Sequence, residues 1–379
     1  MRTLIVVRSL KLGGMERVAV NLADSFAAIG HESHLVSFRN VKKPLAPERD
    51  DVRVHRLPLI RYVRLTGVGY LLEMLARLFL NPFLSRSLFL ATGLMGGTVF
   101  RCWLMRFEHQ YGKVDRIIFR GHGTFELVWS FRDSRARYVL ENIFHDPAVS
   151  WRRRLFSRCL YHRRHLVAVS DGVAQSVHQA MSLWRFSPCS VEVIPNPCPV
   201  GSIRKQMLEN EPELPKIPYL VNVARLVPAK DHELLLHAYA ESKLELPMVV
   251  VGDGQQLQCL QQLAASLGVR DKVIFTGSRQ NPYPWMRNAR LFVLSSRYEG
   301  MGIVLSEALA CGTPVLSVDC PGGVRQILKG ELEKSIVDRE VEALAAGMRQ
   351  AVKGPKPRIR EEWLEDFFPQ RIANAFLAS

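Results

Sequence analysis

The sequence predicts an α/β protein made of two doubly wound domains. Three observations support this fold class. With 379 residues, the chain is long enough for two domains of ordinary size. Short β-branched strand candidates alternate with amphipathic helix candidates, as in a parallel sheet flanked by helices. The alternation stops in residues 199–218, which are rich in Pro, Lys and Glu, and then restarts, so this segment is predicted to join the domains.

The composition indicates what kind of protein this is and what kind of partner it binds. Hydrophobic residues make up 47% of the chain and charged residues 23%, which indicates a globular protein with an ample core. The formal net charge of +15 favours an anionic partner: nucleic acid, an anionic membrane surface or an acidic substrate. Seven scattered cysteines without zinc-like spacing indicate free thiols in a reducing compartment. Residues 1–7 are predicted to be a first strand rather than a signal peptide.

The first half of the chain begins with a predicted β-loop-α unit. Residues 3–7 form the strand, and Gly13 and Gly14 open a helix that runs past Phe26. Strands are also predicted at 33–38, 52–57, 114–119, 138–144, 166–169 and 191–194. The strand at 138–144 delivers His145 to its carboxyl end, where ligands of open parallel sheets bind.

Residues 59–111 are rich in Leu, Phe, Met and Arg. Their two apolar runs, 71–84 and 88–100, are interrupted by arginines and are shorter than the roughly 18–20 uncharged residues that a spanning helix needs. Two interpretations remain open: helices that pack on the core, or helices that lie on a membrane surface.

A basic helix is predicted over residues 151–165. Leu155, Cys159 and Leu160 are expected to face the core, while six arginines and two histidines cover the rest of the helix. Such a helix suits an anionic lipid surface or a phosphorylated acceptor, and it is equally typical of a solvated basic face.

The second half of the chain has predicted strands at 219–223, 248–251, 273–276, 291–294 and 314–318. The carboxyl ends of parallel strands meet at one edge, so the loops after the first four strands should gather there. These loops carry Arg225 and Lys230, whose guanidinium and ammonium groups can stabilise a diphosphate leaving group without proton transfer.

The segment 295–314 follows one of these strands with a glycine turn and a helix. Gly300 and Gly302 allow close backbone approach to a ligand, and a helix over 303–310 offers free N–H groups and a positive dipole end that suit a phosphate. Two carboxylates, Glu299 and Glu307, bracket the turn. Both carboxylates can bind a ligand. Alternatively, Glu299 is a charge at the helix amino terminus and Glu307 is a solvated helix residue.

These residues resemble a known family. Glu299-Gly-Met-Gly-Ile-Val-Leu-Ser-Glu307, followed by Ala-Leu-Ala-Cys-Gly-Thr-Pro, resembles the Glu, seven residues, Glu signature of retaining glycosyltransferase family four, also called glycosyl transferases group 1. Gly13-Gly14-Met15-Glu16-Arg17 resembles the amino-terminal motif of that family. Met301 stands where the family usually has Phe.

The resemblance implies the GT-B fold, in which two Rossmann-like doubly wound domains face each other across a cleft. Residues 1–198 would form the acceptor-binding domain and residues 199–359 the nucleotide-sugar-binding domain. The final helix, within residues 360–379, would pack back on the first domain.

The resemblance also implies roles for individual residues. Arg225 and Lys230 would bind the donor diphosphate, Glu299 the donor sugar and Glu307 the ribose. His145 would lie near the sugar and acceptor, with His122 as the reserve candidate. The other donor-binding candidates are Gly13, Gly14, Gly252, Gly254, Arg279, Gly300, Met301, Gly302, Ile303 and Val304.

The predicted function is therefore a retaining hexosyltransferase that uses a UDP- or GDP-sugar. Its predicted acceptor is a lipid-linked or phosphorylated glycan of bacterial lipopolysaccharide core or surface polysaccharide synthesis. The positive charge and the apolar helices predict peripheral attachment to the cytoplasmic face of the inner membrane. The sequence contains no Asp-x-Asp, which favours a metal-independent reaction with no cofactor.

Two other functions are weighed against this prediction. A relative of the same fold could bind a nucleotide sugar without transferring it. A basic nucleic-acid-binding protein would account for the charge, but no zinc finger, helix-turn-helix or ribonucleoprotein motif is present. A Rossmann oxidoreductase or nucleotide hydrolase is disfavoured because Gly-x-Gly-x-x-Gly and Gly-x4-Gly-Lys-Ser/Thr are absent.

Overall fold

The computed structural model describes residues 1–81, 87–144, 150–354 and 358–379. The chain divides into two compact units. The first contains Met1–Pro197 and Pro369–Ser379, and the second contains Cys198–Phe368.

The first unit is a seven-stranded parallel sheet flanked by helices. Its strands are β1 (Arg2–Val7), β2 (Glu32–Ser37), β3 (Arg53–Arg56), β4 (Arg116–Arg120), β5 (Ala136–Leu140), β6 (His165–Ala168) and β7 (Ser190–Val193). Its helices up to this point are α1 (Gly14–Ala28), α2 (Leu59–Leu65), α3 (Val68–Leu75), α4 (Leu88–Tyr111), α5 (His122–Leu127), α6 (Trp151–Tyr161) and α7 (Asp171–Trp184). The strand order is β3-β2-β1-β4-β5-β6-β7.

The central strands form the core of this unit. From Leu4 to Val7 the side chains of β1 are completely buried, as are Ile117 to Phe119 in β4. This near-continuous apolar pattern is that of parallel strands covered on both faces. The strands predicted in the first half of the chain are thereby confirmed, although the strand predicted to reach residue 144 ends at Leu140.

Helix α4 is longer than the sequence predicted. The apolar run was expected to end at Phe100, but the helix continues to Tyr111 and has a mean hydropathy of 1.4 over its most apolar window. Among the described residues it is the one helix whose length and composition would allow it to cross a membrane. Its glycines instead make close contacts inside the first unit: a Cβ on Gly93 or Gly96 would lie 2.0 Å from the carbonyl oxygens of Glu126 or Leu127.

The basic helix α6 ends earlier than predicted. It stops at Tyr161, so the last of the six arginines lie outside it. Arg164 is buried and donates a hydrogen bond to the Phe131 carbonyl oxygen at 3.2 Å. Burial lowers the pKa of the Arg164 guanidinium to about 10. Leu155 was expected to face the core and is exposed instead.

The second unit is a six-stranded parallel sheet with the order β10-β9-β8-β11-β12-β13. Its strands are β8 (Leu220–Val223), β9 (Met248–Val251), β10 (Val273–Gly277), β11 (Leu291–Leu294), β12 (Val315–Val318) and β13 (Ile336–Val337). Its helices are α8 (Val200–Gln206), α9 (His232–Ser242), α10 (Leu257–Ser266), α11 (Tyr283–Asn288), α12 (Ile303–Ala310), α13 (Val324–Ile327) and α14 (Val341–Lys353). All five predicted strands of this half are confirmed.

Two segments differ from the prediction. The segment 199–218, predicted as a linker, contains α8, whose Ile203 is completely buried and which contacts α11 and α12. The carboxyl-terminal apolar residues do not form one helix: two short 3-10 turns precede α15 (Pro369–Ala378). Pro369 starts that helix because its missing N–H is not needed in the first turn.

Candidate functional site

The loops after β8, β9 and β10 meet at the carboxyl edge of the second sheet. Backbone hydrogen bonds link them: Leu226 N–H donates to the Asp253 carbonyl at 2.9 Å, and Gly252 N–H donates to the Gly277 carbonyl at 2.9 Å. Gly252 and Gly254 allow this contact, because a Cβ at either position would lie 1.9 Å or 2.3 Å from a carbonyl oxygen of the 224–226 loop. These two glycines therefore pack the loop that carries Arg225.

The most direct contact at this edge joins Lys230 to Glu299. The Lys230 Nζ lies 2.6 Å from the Glu299 Oε1, and both groups are largely shielded from solvent. Ser296 Oγ donates a second hydrogen bond to the same carboxylate oxygen, also at 2.6 Å. The structure thus joins two residues that the sequence assigned to different parts of one ligand.

A third loop holds the backbone of Glu299. The Glu299 N–H donates to the Pro321 carbonyl at 3.0 Å, and a Cβ on Gly322 would lie only 1.8 Å from the Glu299 carbonyl oxygen. Gly322 also has a φ of +128°, which strongly favours glycine. Pro321-Gly322-Gly323, a turn-forming tripeptide that begins three residues after the end of β12, is the sequence signal that could have revealed this support.

Asp231 orients the loop that carries Lys230. Its carboxylate pairs with Arg297 at 3.2 Å and Arg339 at 3.0 Å, and its backbone adopts a left-handed conformation with φ of +49°. Ser295 Oγ also donates to the Lys230 carbonyl at 3.0 Å. Contacts within the chain therefore hold the Lys230 loop from both sides.

Helix α12 begins after a left-handed Gly302 with φ of +78°. Met301 is buried, so its backbone rather than its side chain is available to a ligand, whereas Ile303 and Val304 are half-buried and Gly300 is buried. Glu307 lies one turn into the helix, and its Oε1 accepts a hydrogen bond from the Tyr283 hydroxyl at 3.3 Å.

Buried thiols lie beside both carboxylates. Burial raises the pKa of the Cys320 thiol to about 12, and the Glu299 charge adds to the effect. Burial likewise raises the pKa of the Cys198 thiol well above its usual range, with a contribution from the Glu307 charge. Both thiols therefore stay protonated and uncharged at neutral pH.

The two predicted arginines of this unit differ in their surroundings. Arg225 is exposed, and within the described ranges its guanidinium has no ion pair. Arg279 forms a bidentate ion pair with Glu213, a residue of the segment before β8, and lies 5.4 Å over the Trp285 ring. Arg279 therefore holds the 199–218 segment against this unit, a contact that the sequence did not predict.

The first unit carries its own candidates at the carboxyl edge of its sheet. Gly13 precedes α1, where a Cβ would meet the buried Glu16 carboxylate at 2.5 Å, while Gly14 faces open space. His145 lies outside the described residues. The reserve candidate, His122, has its Nδ1 2.8 Å from the Tyr161 hydroxyl and its Nε2 3.3 Å from a Glu126 oxygen.

A buried ion pair lies below this edge. The Arg120 guanidinium is completely buried and donates to Glu141 at 2.5 Å and to Asn196 at 2.6 Å. No motif in the sequence had indicated a role for Arg120. In the part of the chain that the structure describes, no group of three or more potential metal ligands is found.

Two family models match the chain. The model "Glycosyltransferase Family 4" matches residues 12–200, and "Glycosyl transferases group 1" matches residues 204–364. The chain belongs to glycosyltransferase family four. The first match contains the Gly13–Arg17 motif, and the second contains the Glu299–Glu307 motif together with Arg225 and Lys230.

This chain spans about half or less of the length of the curated relatives it matches. The chain is 33% identical over 144 residues to the Campylobacter jejuni N-acetylgalactosamine-N,N'-diacetylbacillosaminyl-diphospho-undecaprenol 4-alpha-N-acetylgalactosaminyltransferase, covering 38% of this chain and 39% of that protein. It is 30% identical over 169 residues to the Rhizobium meliloti lipopolysaccharide core biosynthesis glycosyltransferase LpsE, covering 42% and 48%.

Solved structures confirm the GT-B fold. Anabaena HepE in complex with UDP and glucose aligns with 99% of this chain and 98% of its own, with a TM-score of 0.70 and 17% sequence identity.

Proposed function

We propose that the protein is a retaining glycosyltransferase that binds its nucleotide-sugar donor at the carboxyl edge of the second sheet. The observation that carries the proposal is the ion pair of Lys230 and Glu299 at 2.6 Å within the family motif. Held by Ser296, Gly322 and Asp231, this pair combines a cation for a diphosphate with an acceptor for sugar hydroxyl groups. Such preorganised charge costs little reorganisation during the reaction.

Each residue has a distinct task in this proposal. The acceptor hydroxyl oxygen bonds to the anomeric carbon as the bond from that carbon to the diphosphate breaks. Negative charge develops on the phosphate oxygens, one of which takes up the hydroxyl proton. The Lys230 ammonium and the exposed Arg225 guanidinium stabilise that charge by charge-assisted hydrogen bonds. The Glu299 carboxylate accepts hydrogen bonds from the donor sugar, and the Glu307 carboxylate accepts them from the ribose. The reaction proceeds without a metal ion, because protein cations neutralise the leaving group.

We infer that the acceptor is a lipid-linked or phosphorylated glycan. The Campylobacter relative is named for a diphospho-undecaprenol-linked acceptor, and the Rhizobium relative for lipopolysaccharide core synthesis. The formal charge of +15 suits such anionic acceptors. UDP and GDP are both candidate donor nucleotides; UDP is tested first because HepE was solved with UDP.

We also propose peripheral attachment to the cytoplasmic face of an inner membrane, through residues 59–80 of the first unit. This segment, named here the apolar segment, contains α2, α3 and a π-helical turn. Its exposed apolar side chains are Tyr62, Leu65, Val68, Tyr70, Leu71, Met74, Leu75, Leu78 and Phe79. So dense a group of exposed apolar residues marks an interaction surface.

The charges of the apolar segment suit anionic lipid. Its single acidic residue, Glu73, is buried and pairs with Arg64 and Arg77, each at 2.7 Å. The segment therefore presents no exposed carboxylate to a lipid headgroup, while its arginines remain partly exposed. Basic residues beside an apolar surface add on the order of 1 kcal/mol each to the attraction of an anionic bilayer.

The first experiment measures the thermal stability of the protein with UDP, GDP or ADP. Ligand at about 100 times its dissociation constant should add roughly 2.7 kcal/mol to the free energy of unfolding. Glu307→Ala should abolish the shift, whereas Tyr283→Phe, which removes only a hydrogen bond to that carboxylate, should keep most of it. No shift with any nucleoside diphosphate would reject the donor site.

Three further outcomes test the retaining mechanism and separate the candidate functions. The anomeric coupling constant of the product, measured by proton NMR, should report the same configuration as the donor sugar; the opposite configuration would reject the retaining mechanism. A nucleotide-induced shift without transfer to any lipid-linked or phosphorylated glycan would favour a nucleotide-sugar-binding relative. A shift with an oligonucleotide alone would favour nucleic-acid binding.

A further inference from the structure

A cavity of about 170 Å³ lies at the carboxyl edge of the first sheet, where β1, β2 and β3 end. Its polar lining includes Ser37, Arg39 and Arg56, and its apolar lining includes Leu10, Leu45 and Val54. Among the residues that the structure describes, no acidic one lines it. All the residues that line the cavity belong to the first unit.

Backbone hydrogen bonds fix the walls of this cavity. The Leu45 N–H donates to the Leu10 carbonyl at 2.7 Å, which folds the 39–45 loop over the end of β1. The Leu57 N–H donates to the Ser37 carbonyl at 2.9 Å, which ties the ends of β2 and β3 together. The shape of the cavity is therefore set by backbone hydrogen bonds at the sheet edge rather than by the conformation of one side chain.

The charge around the cavity is uncompensated. Across the described residues, neither Arg39 nor Arg56 forms an ion pair, and the neighbouring Lys42 and Lys43 are exposed and likewise lack one. Other arginines of this unit do have acidic partners, such as Arg2 with Glu32 at 2.5 Å and Arg135 with Glu108 at 2.5 Å. Four cations without an ion-paired carboxylate give this cavity a positive charge that attracts an anion.

We propose that this cavity binds a phosphate group of the acceptor, a step that rests on the proposed function. Two guanidinium groups offer the paired N–H donors that match phosphate oxygens, and the lysines supply further charge. Four cations favour a dianionic phosphate monoester over a carboxylate with its single charge. The apolar wall of Leu10, Leu45 and Val54 contacts the carbon skeleton that carries the phosphate. The cavity thereby selects phosphorylated over neutral acceptors.

Calorimetric titration of the full chain tests the proposal without donor or turnover. Glucose 6-phosphate should bind, and glucose and glucuronate should bind at least tenfold more weakly. Arg39→Gln and Arg56→Gln should each weaken glucose 6-phosphate binding about tenfold, or about 1.4 kcal/mol. The matched control is Arg49→Gln, since Arg49 is an exposed arginine of the same unit that pairs with Asp51 at 2.7 Å. Equal affinity for glucose and glucose 6-phosphate, or equal affinity in all three variants, would overturn the proposal.

A short-chain phosphatidic acid below its micelle concentration distinguishes the source of the phosphate. Binding that depends on Arg39 and exceeds that of glucose 6-phosphate assigns the cavity to a lipid phosphate, and the reverse order assigns it to a sugar phosphate. UDP stabilisation should be unchanged in Arg39→Gln. If UDP stabilises neither the wild type nor any variant while the wild type still binds glucose 6-phosphate, the donor site is rejected and the assignment of the cavity stands.

Discussion

The two units have the same strand order and differ at their carboxyl edges. Numbered within each unit, both sheets follow the order 3-2-1-4-5-6, with one more strand in the first. In the second unit, α11 alone among the helices joins the third strand to the fourth. In the first unit, that connection contains the apolar segment and α4. A shared scaffold therefore supports two different surfaces, as is usual when function lies in the loops.

The charges at the two edges also differ. At the second edge, cations and carboxylates already face one another, as in Lys230 with Glu299 and Asp231 with Arg297 and Arg339. At the first edge, Arg39 and Arg56 have no acidic partner in the described ranges. At the second edge, Lys230 and Asp231 are held in ion pairs and Arg225 is left for an anionic ligand, whereas at the first edge both Arg39 and Arg56 are left for an anion to neutralise.

The strongest test of the organised edge is Lys230→Ala. We expect kcat to fall on the order of 10²–10³, because the leaving diphosphate loses a cation and Glu299 loses its partner. Lys230→Arg should retain more activity than Lys230→Ala, since it keeps the charge but not the 2.6 Å geometry. Initial rates at saturating donor measure the effect. A loss of less than tenfold in Lys230→Ala would remove this residue from the reaction.

Gly322→Ala tests the backbone support of Glu299. The added Cβ would meet the Glu299 carbonyl oxygen at 1.8 Å, so we expect the free energy of unfolding to fall by about 2–3 kcal/mol. Gly268→Ala is the matched control, because Gly268 has a φ of +69° but no atom within 4 Å of its Cβ position, and should cost about 1 kcal/mol. Equal losses in urea unfolding would show that only backbone strain matters.

The apolar segment can be tested by Leu78→Ser with Phe79→Ser. These side chains are 62% and 67% exposed, so the double variant should fold normally yet bind anionic vesicles roughly tenfold more weakly or worse. Leu208→Ser with Ile217→Ser changes two comparably exposed residues of the second unit and should leave flotation with vesicles unchanged. If both pairs behave alike, the apolar segment is not the lipid-binding surface.

Among the described residues, each unit has one buried histidine whose pKa is lowered to about 4 by burial: His34 in the first unit and His232 in the second. Their unfolded pKa is near 6.5, so the stability they contribute is complete above pH 6.5 and is lost as the pH falls toward 4. We expect His232→Gln to lose less stability than the wild type between pH 6.5 and 5, by on the order of 2 kcal/mol. Burial raises the pKa of Asp24 to about 6, so its contribution to stability changes with pH in the opposite direction. This contribution is the same in the wild type and in His232→Gln, and it therefore cancels when the two proteins are compared.

The smallest expected effect is that of EDTA. Because Arg225 and Lys230 supply the positive charge for the diphosphate, chelation should leave the initial rate within experimental scatter. Restoration of a lost rate by added Mg²⁺ or Mn²⁺ would show that the cations of the protein are not sufficient.

The sequence by itself determined the strands of the first sheet, five of the six strands of the second sheet, helix α12 and the family motif. These features depend on local patterns, such as the apolar run 291–294 followed by glycines, and local patterns can be recognised along the chain. The sequence also located Lys230 and Glu299 at one sheet edge, since parallel strands end together.

Only the tertiary structure decided which side chains meet. Lys230 and Glu299 are 69 residues apart, Arg279 and Glu213 are 66 residues apart, and no local pattern encodes either ion pair. The burial of Arg164 was equally unpredictable, because its carbonyl partner on Phe131 belongs to a different segment. Periodicity reports which face of an element is apolar, whereas the pairing of charges depends on the distances that the folded sheet imposes.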